Sequence, residues 1–150
     1  MENVIVDNIN HFSKYLKPEE PLYPCSAVGT SYKTTCYLMQ TSYMLKVVNG
    51  DFKKVFDLCA KADAGYENIC YQSLGRDASG RSISNVDATR SSCYLGSEEA
   101  QRENCIIGAV KDFISYLHSD VRAKELCNSL PEDKIKETCL STASSYYSTF

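Results

Sequence analysis

All eight cysteines of this chain fall on a grid with a period of 34 residues. The first members of four pairs are Cys25, Cys59, Cys93 and Cys127, at equal steps of 34. The second members are Cys36, Cys70, Cys105 and Cys139, at steps of 34, 35 and 34. Such a grid means that one structural unit occurs four times and carries its own cysteine pair each time.

The stretches around the cysteines have helical rhythm. Phe52, Val55, Phe56 and Cys59 stand at i, i+3, i+4 and i+7, one face of a helix. Ile106, Ala109, Val110, Phe113, Ile114 and Leu117 keep that rhythm for about three turns. Asn49-Gly50 is a stop signal, and Asp51 can cap the next helix. Ser97, before Glu98 and Glu99, reads as a helix start, and Ser129-Leu130-Pro131-Glu132 has capping-box spacing.

The two cysteines of a pair belong to different helices. On one helix a separation of 11 would return to within about 20° of the same face, whereas 12 would land about 120° away. The first two pairs are 11 apart and the last two 12, an inequality that a loop absorbs and a helix does not. A helix breaker also sits inside each pair: Gly29, Gly65, Gly96 and Pro131. The cysteines therefore flank the bend of a helical hairpin. Only local pairing gives every unit the same bond, so the expected bridges are Cys25–Cys36, Cys59–Cys70, Cys93–Cys105 and Cys127–Cys139. Closing a loop of about 12 residues removes ~3 kcal/mol of denatured-state entropy in the chain-entropy model. That matters because helices this short are marginal in water.

The expected fold is all-α: a right-handed, solenoid-like stack of four αα-hairpin repeats of 34 residues, spanning 17–50, 51–84, 85–118 and 119–150. Residues 1–16 read as the terminal helix of a preceding partial repeat, which points to a piece of a longer protein. With 43% hydrophobic and 23% charged residues the chain is globular, not a disordered tail.

The pattern resembles the cysteine-rich, Sel-like helical repeat proteins, relatives of the tetratricopeptide repeat. The residues that carry the resemblance are Asp57-Leu58-Cys59, then Gly65, Cys70-Tyr71 and Leu74-Gly75, with the period maintained over residues 17–150. Units three and four carry Ile106-Ile107-Gly108 and Leu140-Ser141-Thr142 in place of Leu74-Gly75. The resemblance implies hairpins bridged near their turns, secretion, and a part in protein interaction.

The net charge of −3, with no lysine-arginine cluster, excludes a general nucleic-acid footprint. No apolar run reaches the ~18 residues a membrane span needs. The start, MENVIVDNINHF, is not a signal peptide, yet eight cysteines suit an extracytoplasmic compartment: secreted, periplasmic or cell-surface. Zinc-ligand spacing and the haem-attachment motif are absent from the cysteines, so neither a metal nor a cofactor is expected. His11 and His118 lie in different units and read as helix-end residues. The carboxylate pairs Glu19-Glu20, Glu98-Glu99 and Glu132-Asp133 all sit near helix starts, where the dipole favours them. No residue is therefore expected to be catalytic.

Two features point toward binding. The polar stretch Gly75–Ser82 reads as a long inter-repeat loop whose Arg76, Asp77, Ser79 and Arg81 can meet an anion. Tyrosine supplies rigid contact area, and among the 11 tyrosines Tyr37 and Tyr71 occupy the same repeat position, just after the second cysteine. The expected function is an interaction or scaffold module, with a protein partner or neighbouring domains of the same chain as ligand. Two alternatives stay open. One is a non-catalytic or partial domain of a secreted hydrolase. The other is a mitochondrial-type twin-cysteine hairpin protein, whose bonds would join different units.

Overall fold

A computed structural model describes residues 17–82 and 85–150. The helix expected over residues 1–16 lies outside them. Among the described residues the protein is all-α, with seven helices. They are α1 (Thr30–Val47), α2 (Phe52–Cys59), α3 (Glu67–Arg81), α4 (Val86–Cys93), α5 (Glu99–Leu117), α6 (Val121–Asn128) and α7 (Lys134–Tyr147).

The repeat is visible as an alternation of lengths. The first helix of each of the last three units has 8 residues. The second helices α1, α3, α5 and α7 have 18, 15, 19 and 14. Each second helix packs on the next, α1 on α3, α3 on α5 and α5 on α7, while each short helix lies against its own partner. One continuous core runs through these contacts and includes Tyr37, Phe56, Leu74, Ile106, Phe113 and Leu126.

All four disulfides pair within units, as expected. Cα–Cα distances are 5.4 Å for Cys25–Cys36, 5.5 Å for Cys59–Cys70, and 5.4 Å for both Cys93–Cys105 and Cys127–Cys139. These spans suit an unforced bridge. The eight cysteines have no solvent exposure, so the bridges are also core.

Capping sets the frame of the hairpins. Asp51 accepts from the Lys54 backbone N–H at 3.2 Å, and Asn85 from that of Ala88 at 3.0 Å. Asn49 and Gly50 carry the positive φ angles, 55° and 81°, that end α1. Two starts differ from the sequence reading. Glu98, not Ser97, occupies the N-cap of α5, and Gln101 reaches back to accept from both Ser97 N–H (2.8 Å) and Glu98 N–H (3.3 Å). Ser129 closes α6 by donating its hydroxyl to the Leu126 carbonyl at 2.7 Å. Asp133 caps α7 in its place, accepting from the Ile135 and Lys136 backbones at 2.9 and 3.3 Å.

Three further expectations need correction. The first rod of unit one is not a helix: residues 17–28 form successive turns, because Pro18, Pro21 and Pro24 remove donors from any helical ladder. Buried Gln40 ties this segment down, its amide donating to the Pro21 and Tyr23 carbonyls at 2.9 and 2.8 Å. Gly75–Ser82 is not a loop: α3 runs through it to Arg81. Leu117, at the end of the α5 stripe, is 40% exposed and lies outside the core.

Candidate functional site

The second helices bring one polar column to the surface. Counting from the second cysteine, the sixth and seventh residues are Arg76-Asp77 in unit two and Lys111-Asp112 in unit three. One helix face also carries residues at i, i+3, i+4 and i+7: Ile69, Gln72, Ser73 and Arg76 on α3, and Gly108, Lys111, Asp112 and Ser115 on α5. With Thr34 and Leu38 of α1 and Tyr146 of α7, these eight line a groove of about 520 Å³. A second depression of about 380 Å³, lined by Ser42, Asp77, Gly80, Arg81 and Tyr116, shares Arg76 and Asp112 with the first. All four second helices therefore contribute to one surface.

The floor of the groove is set by contact between helix backbones. A Cβ on Gly75 would lie 1.9 Å from the Cys105 carbonyl oxygen, and one on Gly108 would lie 1.9 Å from that of Gln72. Only glycine lets α3 and α5 approach so closely. Gln72 and Asn104 hydrogen-bond across the same seam at 2.8 Å.

The two aspartates of the column point back into the stack. Asp77 accepts from the Thr41 hydroxyl at 2.6 Å and from the Ser42 hydroxyl at 2.7 Å, joining α3 to α1. Asp112 accepts from the Ser79 hydroxyl, joining α5 to α3. Burial pushes the Asp77 carboxyl above its usual range, opposed by the Thr41 and Ser42 hydroxyls and by Arg76 and Arg81. With the carboxylates held this way, the cations face the groove. Lys111 Nζ stands 5.7 Å over the Tyr146 ring, whose hydroxyl lies 2.9 Å from that of Ser115. The Arg81 guanidinium stands 5.9 Å over Phe52.

Of the residues singled out from the sequence, Arg76, Asp77 and Arg81 line this surface, on a helix and not on a loop. Ser79 is buried, with its hydroxyl on Asp112. Tyr37 and Tyr71 are 0% and 5% exposed, so they pack the core and offer no contact surface. Burial, with the bond to Asp63, pushes the Tyr37 hydroxyl up to about 12. Burial also raises the Tyr71 hydroxyl. The Tyr37 hydroxyl donates to Asp63 at 2.8 Å, and Lys33 Nζ reaches the same oxygen at 2.8 Å. Lys33 holds the Asp63 carboxyl below its usual range, with help from Tyr37. His118 ends α5 with a φ of 53° and meets the Phe150 ring edge-on.

Lys111, Asp112, Leu38, Thr34 and Tyr146 are groove residues that the sequence reading passed over. The signal for the first two was present: Lys111-Asp112 repeats Arg76-Asp77 at the same offset from the second cysteine. Among the described residues no group of three or more His, Cys, Asp or Glu side chains could hold a metal ion. No helix among them is long and apolar enough to cross a membrane. Four buried disulfides belong to an oxidising environment outside the cytoplasm. No family model, curated protein or solved structure matches this chain.

Proposed function

We propose that this protein is a non-enzymatic binding module working outside the cytoplasm. In this reading it takes a linear segment of a protein partner, or of a neighbouring domain of its own chain, into the groove along its second helices. The repeated helix–disulfide–helix unit also supports kinship with the Sel-like repeat proteins. One observation carries the functional reading: the groove of about 520 Å³ draws residues from all four second helices, and two pairs of them, Ser73 with Gly108 and Arg76 with Lys111, stand at equivalent repeat positions on α3 and α5. A surface assembled from successive repeats is long and shallow, the shape that suits an extended chain.

The test is selection of linear peptides from a random display library on the immobilised, disulfide-intact protein. Recovered peptides should lose binding to Leu38→Arg and to Ile69→Arg, which fill the groove from α1 and α3. They should keep binding to Lys53→Glu, an exposed change on α2. Recovery of no binders, or of binders indifferent to both groove substitutions, would refute the reading.

A further inference from the structure

We infer that the groove selects a segment bearing an acidic side chain close to an apolar one, with Arg76 and Lys111 as the acid receptor and Leu38 with Ile69 as the apolar seat. The inference rests on the binding function proposed above and adds the chemistry of the ligand.

Charge is the first pointer. The chain as a whole is acidic, with a net charge of −3. The joined grooves reverse that sign: Arg76, Arg81 and Lys111 face only Asp77 and Asp112. Both carboxylates are already engaged by hydroxyl donors from the neighbouring helix, Thr41 and Ser42 on Asp77 and Ser79 on Asp112. Arg76 and Lys111 make no ion pair or hydrogen bond with either carboxylate, although the Arg76 charge lies near enough to favour the Asp77 anion. They occupy the same repeat position on α3 and α5, six residues after Cys70 and Cys105, and line the same groove. Lys111 is steered by the Tyr146 ring at 5.7 Å, which limits the entropy it loses when it takes a ligand.

The same groove also offers apolar surface: Leu38, 38% exposed, and Ile69 both line it. A ligand that meets the cations and these side chains together needs an anion and an apolar group in one short stretch. A carboxylate matches the guanidinium fork of Arg76 by a charge-assisted pair. A cationic segment would meet Arg76 and Lys111 as like charges and is excluded.

The display experiment resolves this inference separately from the function. Peptides that bind in the groove should be enriched in Asp or Glu near an aliphatic or aromatic residue. Their affinity should fall about tenfold on Arg76→Gln and several-fold on Lys111→Gln, as for loss of a charge-assisted contact. A second selection on the double variant Arg76→Glu/Lys111→Glu should return peptides enriched in Lys and Arg instead. Binders that lose affinity on Leu38→Arg but show no acidic enrichment, or no response to Arg76→Gln, overturn this inference and leave the groove a binding site. Failure of the groove substitutions themselves overturns both.

Discussion

Two carboxylates in this protein sit in opposite electrostatic situations, and their contributions to stability run in opposite directions with pH. Asp63 is stabilised as an anion, first by Lys33 and then by Tyr37, so its folded-state value lies below the ordinary 3.8. Its contribution is complete above 3.8 and is lost as pH falls through the depressed folded value. Asp77 is the reverse: burial raises it above 3.8, so its contribution is complete below 3.8 and is lost as pH rises through the raised folded value. Asp63→Asn should therefore lower the urea midpoint at neutral pH, and the deficit should shrink on acidification to about pH 3. Asp77→Asn keeps the side-chain shape and removes the buried charge; its amide nitrogen donates, so one of the two hydroxyls, Thr41 or Ser42, turns to accept. The variant should match or exceed the wild-type midpoint at neutral pH and lose any advantage in acid. A common direction for the two pH profiles would mean that one of these environments is wrongly assigned.

The helices α3 and α5 meet backbone to backbone, and glycine controls the approach. A methyl group at Gly75 would collide with backbone, the Cys105 carbonyl oxygen at 1.9 Å, which cannot swing aside as a side chain can. Gly75→Ala should cost about 3 kcal/mol or more, the upper range for overpacking. Gly80, five residues along the same helix, is different: a Cβ there would meet nothing within 4 Å. Gly80→Ala should raise stability by about 0.5 kcal/mol through helix propensity alone. Thermal or urea denaturation of the pair checks both signs, and equal effects would contradict the backbone contact. The same helix marks where sequence reasoning stopped. Gly75, Ser79, Gly80 and Ser82 are weak helix formers, so the stretch reads as a loop. Tertiary packing overrides that weakness: Gly75 meets α5 and Ser79 bonds to Asp112. Such contacts between elements leave no local trace. Periodicity, by contrast, was legible wherever covalent or apolar constraints repeat: the four bridges, and the buried face of Phe52, Val55, Phe56 and Cys59. The site was half legible. Arg76, Asp77 and Arg81 stand out by composition, whereas Leu38 and Tyr146 join the groove only because the repeat brings α1 and α7 alongside.

Across the molecule, cohesion passes from neighbour to neighbour. Among the described residues the second helices touch in the order α1, α3, α5, α7, so there the α6–α7 hairpin is held from one side while α5 is held from both. Two disulfides allow that asymmetry to be measured cleanly. Cys93–Cys105 and Cys127–Cys139 both close a separation of 12, so deleting either relaxes the denatured chain by the same amount, ~3 kcal/mol in the chain-entropy model. All four cysteines are fully buried, so replacement by alanine removes comparable packing. Any difference between Cys93→Ala/Cys105→Ala and Cys127→Ala/Cys139→Ala must then come from position in the stack. Loss of the terminal bridge should speed hydrogen exchange across α6 and α7 while amides of α2 and α3 around Phe56 and Leu74 keep their protection. Loss of the inner bridge loosens α5 and with it the seams to both neighbours, so protection should fall on α3 and α7 together and the global denaturation midpoint should drop further. Exchange mass spectrometry on the two variants reads this directly. Identical, chain-wide loss of protection in both would mean that the four hairpins melt as one block and that the groove cannot yield locally to a ligand.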